Sequence, residues 1–405
     1  MLSQKSIAKR LQRFCVAFQV FNGCDDAEHT AHHIEPRKLN AKQKGAKLDI
    51  RQATASYETW LRGCTTVVDA ALRSKHEQMR SDPFLFFRGT YYRWTQLFSQ
   101  VCKELAHAPS LLCSGDLHVG SFGTWRDREG RLCWGVDDFD DAYPLAYTND
   151  LVRLVASLKM VIDAEGLTIK YREGCDAILE GYEQSLRNGG CPFVLAEHDE
   201  NLEKLGIEMI KQPQDFWKKL KDAPPVHARE VSTDARAALT SVLPPGIDYK
   251  ISRRQAGLGS LGQPRFVALG EYAGGCIARE VKATVPSACV WKDGKSGRGE
   301  RYYERLIASA VRSHDPYQKV VRRWIVRRLS PDSNPIEVMD LPKKRDEYTL
   351  LHAMGKEVAN VHLGSPGRTK SVLKDLRGRE KKWLRRAGKQ MAEVMEKEWK
   401  AYARE

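Results

Sequence analysis

The segment GLGSLG places glycines at positions 257, 259 and 262, with Ser260 between them. Glycines at this spacing let a backbone approach phosphate groups without an intervening side chain. In a dinucleotide-binding α/β domain a helix begins at such a loop. Here Pro264 follows, and the alternation of apolar and other residues after it favours a strand. The sequence therefore predicts a strand–loop–strand lid and disfavours a doubly wound dinucleotide fold.

A lysine follows this loop at a strand position, in the segment CIAREVKA. Lys282 could neutralise nucleotide phosphates from there. A predicted helix then supplies Glu300 and Glu304, one turn apart, as candidates to hold Lys282 by an ion pair. The alternative is an ordinary surface lysine on an edge strand.

Two acidic segments come earlier in the chain. GDLHVGS contains Asp116 and VDDFDDA contains Asp138, and each segment follows a short apolar run. Phosphoryl transfer needs one carboxylate near the attacking hydroxyl and another on magnesium, which prefers oxygen ligands. The segment WRDREGR between the two runs predicts a turn, so we expect both aspartates at strand ends of one hairpin. The alternative is that Asp116 caps a turn and residues 137–141 form a solvated acidic loop.

His118 lies two positions after Asp116 and is a candidate base or ligand. A hydrogen bond that shapes the loop is the simpler interpretation, because no second histidine lies at metal-ligand spacing. The sequence has no GxSxG or HExxH motif, so hydrolase templates gain no support.

Changes in the pattern of apolar and polar residues along the 405 residues predict an α+β chain with several parts. Residues 1–50 form an N-terminal extension, and residues 51–240 are largely helical around the acidic segments. Proline pairs in APPV and LPPG mark a boundary, after which residues 247–342 read as strands. Residues 346–405 are helical again, and no internal repeat is visible.

Composition indicates a soluble globular chain in the cytoplasm, with 42% hydrophobic and 29% charged residues. No apolar run approaches the roughly 20 residues that a membrane-spanning helix needs. The N-terminal segment has its apolar positions interrupted by charge, so it predicts an amphipathic helix rather than a signal peptide. The ten cysteines form no CxxC pair, which is typical of reduced cysteines without a zinc site.

The net charge of +14 is concentrated near the C-terminus. Residues 368–389 carry ten Lys/Arg against two acidic residues, a local charge of +8. Such a segment can contact nucleic acid, an anionic surface or an acidic substrate. The alternative is a solvated helix face.

Eight segments together carry a resemblance to a known family: PFLFFRG, GDLHVGSFG, VDDFDDAYP, NDLVRLVAS, GLGSLG, REVKA, IVRRL and EVANVH. From about residue 80 to the C-terminus the chain is similar to a large bacterial family catalogued as a domain of unknown function within the protein-kinase-like group. The chain is also distantly similar to aminoglycoside and choline phosphotransferases.

This resemblance implies a two-lobed, protein-kinase-like α+β fold in circularly permuted order, because the catalytic aspartate here precedes the Gly-rich loop. Residues 80–240 would form most of a helical lobe and residues 247–342 a small antiparallel β lobe. The helix at 346–363 would return to the large lobe. Permutation is physically reasonable, since a site is defined by where its groups meet.

The resemblance also implies ATP and Mg²⁺ as cofactors. Asp116 would act on the acceptor, and Asp138 would hold the metal with Ser121 assisting; Asp137 or Asp140 would compensate for the weaker serine ligand. Ser121 occupies the position where kinase-like loops usually carry a metal-binding asparagine, and a hydroxyl is a shorter, weaker ligand.

One further residue, Arg88 in the FFRG segment, is a candidate phosphate contact, and a buried structural salt bridge is an equal alternative.

Three functions follow as hypotheses. The first is an ATP- and Mg-dependent phosphotransferase acting on an unknown small-molecule acceptor. The second is a catalytically weak, pseudokinase-like nucleotide-binding protein, suggested by Ser121. The third is a nucleic-acid or polyanion binder that uses the basic segment 368–389.

Overall fold

The structure, a computed structural model, describes residues 49–165, 167–198, 213–296, 301–333 and 344–404. These residues have a mixed α+β architecture with antiparallel sheets, which confirms the predicted class. The predicted N-terminal extension lies outside the described residues except for its last two positions, and so does Glu300.

Helices dominate the first and last parts of the described chain. They are α1 (Ile50–Cys64), α2 (Asp69–Ser81), α3 (Pro83–Gly89), α4 (Tyr91–Val101), α5 (Thr148–Glu165), α6 (Tyr171–Asn188), α7 (Leu195–His198), α8 (Pro213–Asp222), α9 (Thr233–Thr240), α10 (Ala288–Lys292), α11 (Tyr303–Ser309), α12 (Lys344–Leu363), α13 (Thr369–Arg377) and α14 (Trp383–Ala403).

Within the described ranges, ten strands form three antiparallel sheets. They are β1 (Ser110–Cys113), β2 (Phe122–Arg126), β3 (Leu132–Val136), β4 (Tyr143–Ala146), β5 (Phe193–Val194), β6 (Tyr249–Arg253), β7 (Arg265–Tyr272), β8 (Gly275–Ala283), β9 (Lys319–Val321) and β10 (Trp324–Leu329). The sheet orders are β1-β4, β2-β3-β5 and β6-β7-β8-β10-β9.

The strand pairing corrects the predicted hairpin. Strand β1, which precedes Asp116, pairs with β4, whereas β3, which precedes Asp138, pairs with β2. The turn at residues 127–131 therefore joins β2 to β3 and not β1 to β3. The two aspartates follow strands of different sheets, and their proximity depends on tertiary packing.

The helical core forms where the apolar faces of α5, α6, α12 and α14 meet. Along α5, Leu151, Val155 and Leu158 recur at helical spacing and are fully buried. The helices α6 and α12 approach each other very closely at two glycines. A Cβ atom on Gly181 would lie 2.0 Å from the His352 carbonyl oxygen, and one on Gly355 would lie 2.0 Å from that of Ile178.

The five-stranded sheet is covered by two helices that the sequence assigned to the helical part. Helix α9 packs on one face, where a buried cluster includes Phe266, Val281 and Val326. Helix α8 covers the far end of the other face with Phe216, Trp217 and Leu220. Both helices therefore belong structurally with the sheet.

Among the helices that the structure describes, none combines the length and apolar character needed to cross a membrane. The eight described cysteines are all free thiols, and six of them are buried.

The close approach of α6 and α12 makes Gly355→Ala strongly destabilising. An added methyl group would collide with backbone rather than with a movable side chain, so we expect a loss of about 3 kcal/mol in the free energy of unfolding. Urea unfolding of the purified protein measures this loss.

The matched control is Gly63→Ala, at a helical glycine in α1 with nothing within 4 Å of an added Cβ. It should leave stability unchanged or raise it by up to about 1 kcal/mol. Equal effects of the two substitutions would contradict the packing argument.

Candidate active site

The loop after β1 is held by the N-terminal turn of α5. The Asp150 carboxylate accepts hydrogen bonds from the backbone N–H groups of Ser114, at 2.7 Å, and Gly115, at 3.1 Å. Gly115 has a φ of 84°, and a Cβ there would lie 2.3 Å from the Asp141 carbonyl oxygen. The glycine is therefore required, and this tight loop fixes Asp116, the next residue.

Asp116 is paired with a buried arginine that sequence reasoning did not select. The Arg153 guanidinium donates from Nε to Asp116 Oδ1 at 2.8 Å, and its Nη2 donates to the same oxygen. Burial raises the pKa of Asp116, and Arg153 opposes that shift. Because Oδ1 is engaged, Oδ2 is the oxygen available to a ligand.

Three aromatic rings surround the Arg153 guanidinium. Its central carbon lies 4.0 Å from the ring centroid of Phe87 and 4.9 Å from those of Tyr91 and Trp94. The electron-rich faces of these rings stabilise a buried cation. The arrangement fixes the position of the positive charge beneath Asp116.

The acidic segment after β3 meets Lys282 on strand β8. The Lys282 ammonium donates to Asp140 Oδ2 and lies 3.9 Å from Asp138 Oδ1. The Lys282 side chain is 3% exposed, whereas that of Asp138 is 52% exposed. The acidic segment and the strand lysine, predicted separately as metal and phosphate ligands, therefore lie together.

Charges in this cluster shift the two carboxylates in opposite directions. The protein around Asp138 would by itself raise the pKa of this carboxyl group, but the charges of Lys282 and Arg327 outweigh that effect and lower the pKa below its usual range. Burial and the neighbouring Asp138 charge raise the pKa of Asp140. The lowered pKa keeps Asp138 ionised across the physiological range.

Two further acids flank this pair. Asp141 accepts a hydrogen bond from the Ala288 N–H at 2.7 Å, and burial together with the Asp116 charge raises its pKa to about 7. Burial raises the pKa of Asp137 to about 6. Both can exchange protons near neutral pH.

The Gly-rich loop connects β6 to β7 and covers Asp116. A Cβ on Gly259 would lie 3.6 Å from Asp116 Oδ2. Gly257 and Gly262 have φ values of 71° and 97°, a region that favours glycine. The strand–loop–strand arrangement is as the sequence predicts.

Two hydrogen bonds dock this loop on helix α2 and its N-cap. Lys75 Nζ donates to the Gly259 carbonyl oxygen at 2.9 Å, and the Val68 N–H donates to that of Gly262 at 2.8 Å. Within the loop, Ser260 Oγ accepts from Arg265 Nη2 of strand β7 at 2.7 Å.

A narrow cleft that opens to solvent lies between these parts. It is lined by Tyr57, Ser114, Asp116, Asp138, Asp140, Asp141, Gly259, Ser260, Gln263 and Val285. Two of its buried oxygens, Ser114 Oγ and Asp140 Oδ1, have no hydrogen-bond partner among the described residues. Carboxylate and hydroxyl oxygens form the donor set that Mg²⁺ prefers, so these residues suit that ion.

His118 and Ser121 do not line the cleft. His118 Nδ1 accepts from the Gly120 N–H at 3.1 Å, and burial lowers the pKa of His118 well below its usual range. Ser121 Oγ accepts from the His118 N–H at 3.1 Å and donates to the Asp116 carbonyl oxygen at 3.4 Å. Both side chains therefore shape the loop, as the simpler interpretation of His118 anticipated.

Arg88 lies beside the loop that contains His118 and Ser121, and its guanidinium is 5.9 Å from the Phe84 ring centroid. Its buried Nε has no hydrogen-bond partner among the described residues. Its charge contributes to lowering the pKa of His118.

Glu304, one of the two predicted partners of Lys282, does not pair with it, and Glu300, the other, lies outside the described residues. Glu304 Oε1 accepts from the Val320 N–H at 3.2 Å, and the carboxylates bound to Lys282 are Asp140 and Asp138. The lysine is therefore held by the acidic segment across the cleft.

The basic segment 368–389 covers α13 and the first part of α14. Some of its charges are internally paired, as in Arg379 with Asp375 and Arg386 with Glu380. Trp383 is buried in the helical core, so its ring is not available to stack on bases.

A comparison with known protein families finds a match for the part of the sequence that contains the first residues of this site. Residues 67–241 are similar to a bacterial family described as "Uncharacterized protein conserved in bacteria (DUF2252)". The matched region includes Asp116, Asp138 and Arg153, whereas the Gly-rich loop and Lys282 lie beyond it. No curated protein and no solved structure matches the chain.

The docked loop gives a testable consequence at Lys75. Lys75→Met removes the donor to the Gly259 carbonyl oxygen. Because a hydrogen bond from a charged group contributes about 1.5–3 kcal/mol, amide exchange over residues 257–262 should accelerate about tenfold or more. Hydrogen–deuterium exchange with mass spectrometry measures it at pH 7, where Lys75, whose pKa burial lowers to about 8, is still mainly charged.

Arg73→Met is the control, because Arg73 lies exposed on the same helix. It should leave exchange of the loop unchanged. Unaltered exchange in Lys75→Met would contradict the proposed docking.

Proposed function

We propose that the protein is an ATP- and Mg-dependent phosphotransferase with a kinase-like site. One observation carries the proposal: the Gly-rich loop lies over Asp116 while Lys282 pairs with Asp138 and Asp140. Groups more than a hundred positions apart in sequence thus converge on one cleft, with the residue types that phosphoryl transfer requires.

A kinase-like fold in permuted order is part of this proposal. The five-stranded antiparallel sheet would be the small lobe, and the helices around α5 and α12 the large lobe. The proposal is supported by the position of the Gly-rich loop and Lys282 on neighbouring strands β7 and β8 across from Asp116. It requires only that these groups meet, whatever their order along the chain.

Asp116 would act on the acceptor hydroxyl. Its Oδ2 faces the Gly-rich loop, and Arg153 fixes the carboxylate through Oδ1. A carboxylate held this way can orient a hydroxyl and accept its proton during transfer. Tyr57 lines the same side of the cleft and would contact the acceptor.

Asp138 and Asp140 would hold Mg²⁺, which neutralises charge on the transferred phosphoryl group. Asp138 is suited to this role because its low pKa keeps it ionised and it is exposed to the cleft. When the phosphate ligand binds, Lys282 would exchange its ion pair with Asp140 for one with a phosphate oxygen. The charge of Lys282 would therefore be neutralised both without and with the ligand.

A second candidate is a nucleotide-binding protein with weak turnover. Ser121, in the position of the usual metal-binding asparagine, uses its Oγ in hydrogen bonds within the loop. This use of the Ser121 hydroxyl favours binding over catalysis.

Calorimetric titration with ATP in the presence and absence of Mg²⁺ tests the proposal. The wild-type protein should bind ATP more tightly with Mg²⁺, and Asp138→Ala should lower that affinity about tenfold or more, since a charge-assisted contact contributes about 1.5–3 kcal/mol. Turnover of ATP in the same samples separates the two candidates.

Asp163→Ala, at an exposed residue on α5, is the control and should bind as the wild type does. An intact protein that binds no ATP, or an Asp138→Ala variant that binds Mg–ATP equally well, would overturn the phosphotransferase proposal. Binding without turnover would favour the second candidate.

A further inference from the structure

We infer that the sheet side of the cleft contains a second anion site, formed by Arg254 and Arg327, which binds a phosphate group of a polyphosphate ligand. This inference rests on the proposed nucleotide cleft but adds a contact beyond Lys282. It also specifies that the polyphosphate chain, rather than the base, lies against this part of the sheet.

The strand register places these arginines on the same face as Lys282. Residues alternate between faces along a strand, so Lys282 and Glu280 of β8 point to the same side. Arg327 of β10 lies directly opposite Glu280 in the antiparallel register. Arg254 is the first residue after β6, at the base of the Gly-rich loop.

Three arginines converge on Glu280, which is fully buried. Its carboxylate accepts from Arg327 Nη2 at 3.0 Å, from Arg265 Nη1 at 3.3 Å and from Arg254 Nη1. Burial would raise the pKa of Glu280, but the arginines hold it well below its usual range.

This cluster has more positive charge than its own carboxylate neutralises. Within the ion-paired cluster, three arginines against one glutamate leave a surplus of two positive charges, which face the acidic residues 137–140. Arg265 is buried, but the side chains of Arg254 and Arg327 are 29% and 23% exposed. The buried Nε of Arg327 has no hydrogen-bond partner among the described residues. These two arginines therefore retain donors for an anionic ligand.

The position of the cluster links it to the cleft. Arg327 Nη1 approaches the Asp137 carbonyl oxygen at 3.4 Å, and the charge of Arg327 acts on Asp138. The arginines thus lie between the base of the Gly-rich loop and the exposed Asp138. A phosphate there would be adjacent to any phosphate held by Lys282.

A nucleobase fits the part of the sheet around Arg254 and Arg327 less well than a phosphate group does. The apolar residues nearest Lys282 on the same face are Ile325, opposite Lys282, and Val267, opposite Glu280, and both are buried. Leu269, Ala278 and Leu329 lie farther along this face. Helix α8 already packs against them through Phe216 and its neighbours. Guanidinium groups match phosphate oxygens in charge and geometry, so the surface suits a phosphate chain.

Calorimetric titration with inorganic tripolyphosphate, ATP and adenosine tests the inference. The full-length protein should bind tripolyphosphate, and Arg254→Gln and Arg327→Gln should each weaken that binding about tenfold, as expected for a lost charge-assisted contact. Adenosine should bind far more weakly than ATP.

Arg253→Gln is the matched control, because Arg253 precedes Arg254 but pairs with Glu230 and stacks near Phe266 on the opposite face of the sheet. It removes the same charge and should change the affinity less than twofold. Equal weakening by Arg253→Gln and Arg254→Gln would overturn the inference, since it would indicate only a general charge effect.

The outcomes separate this inference from the proposed function. ATP binding without tripolyphosphate binding would overturn the arginine site and leave the phosphotransferase proposal standing. Tripolyphosphate binding that depends on Arg254 and Arg327, without ATP turnover, would support the arginine site alone. No binding of either ligand would overturn both.

If the glutamine variants fail to fold, hydrogen–deuterium exchange on the wild-type protein provides the test. Tripolyphosphate should slow amide exchange at residues 254–264 and around Arg327. Protection confined to the basic segment 368–389 would overturn the inference and indicate polyanion binding there.

Discussion

The ion pairs of Lys282 with Asp140 and Asp138 join the two sides of the cleft. The lysine belongs to strand β8 of the five-stranded sheet, and the aspartates follow β3 in the helical part of the chain. Lys282 is almost fully buried, so removal of its carboxylate partners would leave an uncompensated charge at a cost of about 3–5 kcal/mol. A ligand that separates the pair must therefore replace both charges.

The charges around the cleft are arranged in layers that make such replacement feasible. Arg153 lies beneath Asp116, the acidic segment forms the middle, and Lys282 with the arginines around Glu280 lies above. A polyphosphate accompanied by a divalent cation presents the complementary order of charges. Its phosphates would face the upper cations and its metal the middle acids, so each buried charge would keep a partner.

Local sequence patterns predicted the parts of this site better than their connections. Alternation after Pro264 correctly indicated a strand beyond the Gly-rich loop, because that pattern follows directly from strand geometry. The β1–β4 pairing was missed because β4 is short, contains a proline and shows no clear alternation. The predicted turn at residues 127–131 is present, but it joins β2 to β3 rather than β1 to β3.

The ion-pair partners were beyond sequence reasoning for a related reason. Glu304 has a plausible helical position for pairing with Lys282, yet packing places it against β9. Arg153 lies within an apolar helical segment 37 positions after Asp116, so only tertiary structure reveals their contact. An arginine in an otherwise apolar helix face was the available signal, since buried arginines require a partner.

A crystal structure of the protein with a non-hydrolysable ATP analogue and Mg²⁺ tests the central claim most directly. The account predicts that the phosphates lie under the Gly-rich loop, with Lys282 Nζ on a phosphate oxygen and Asp138 on the metal. A nucleotide bound outside this cleft, with the pair between Lys282 and Asp140 intact, would contradict it.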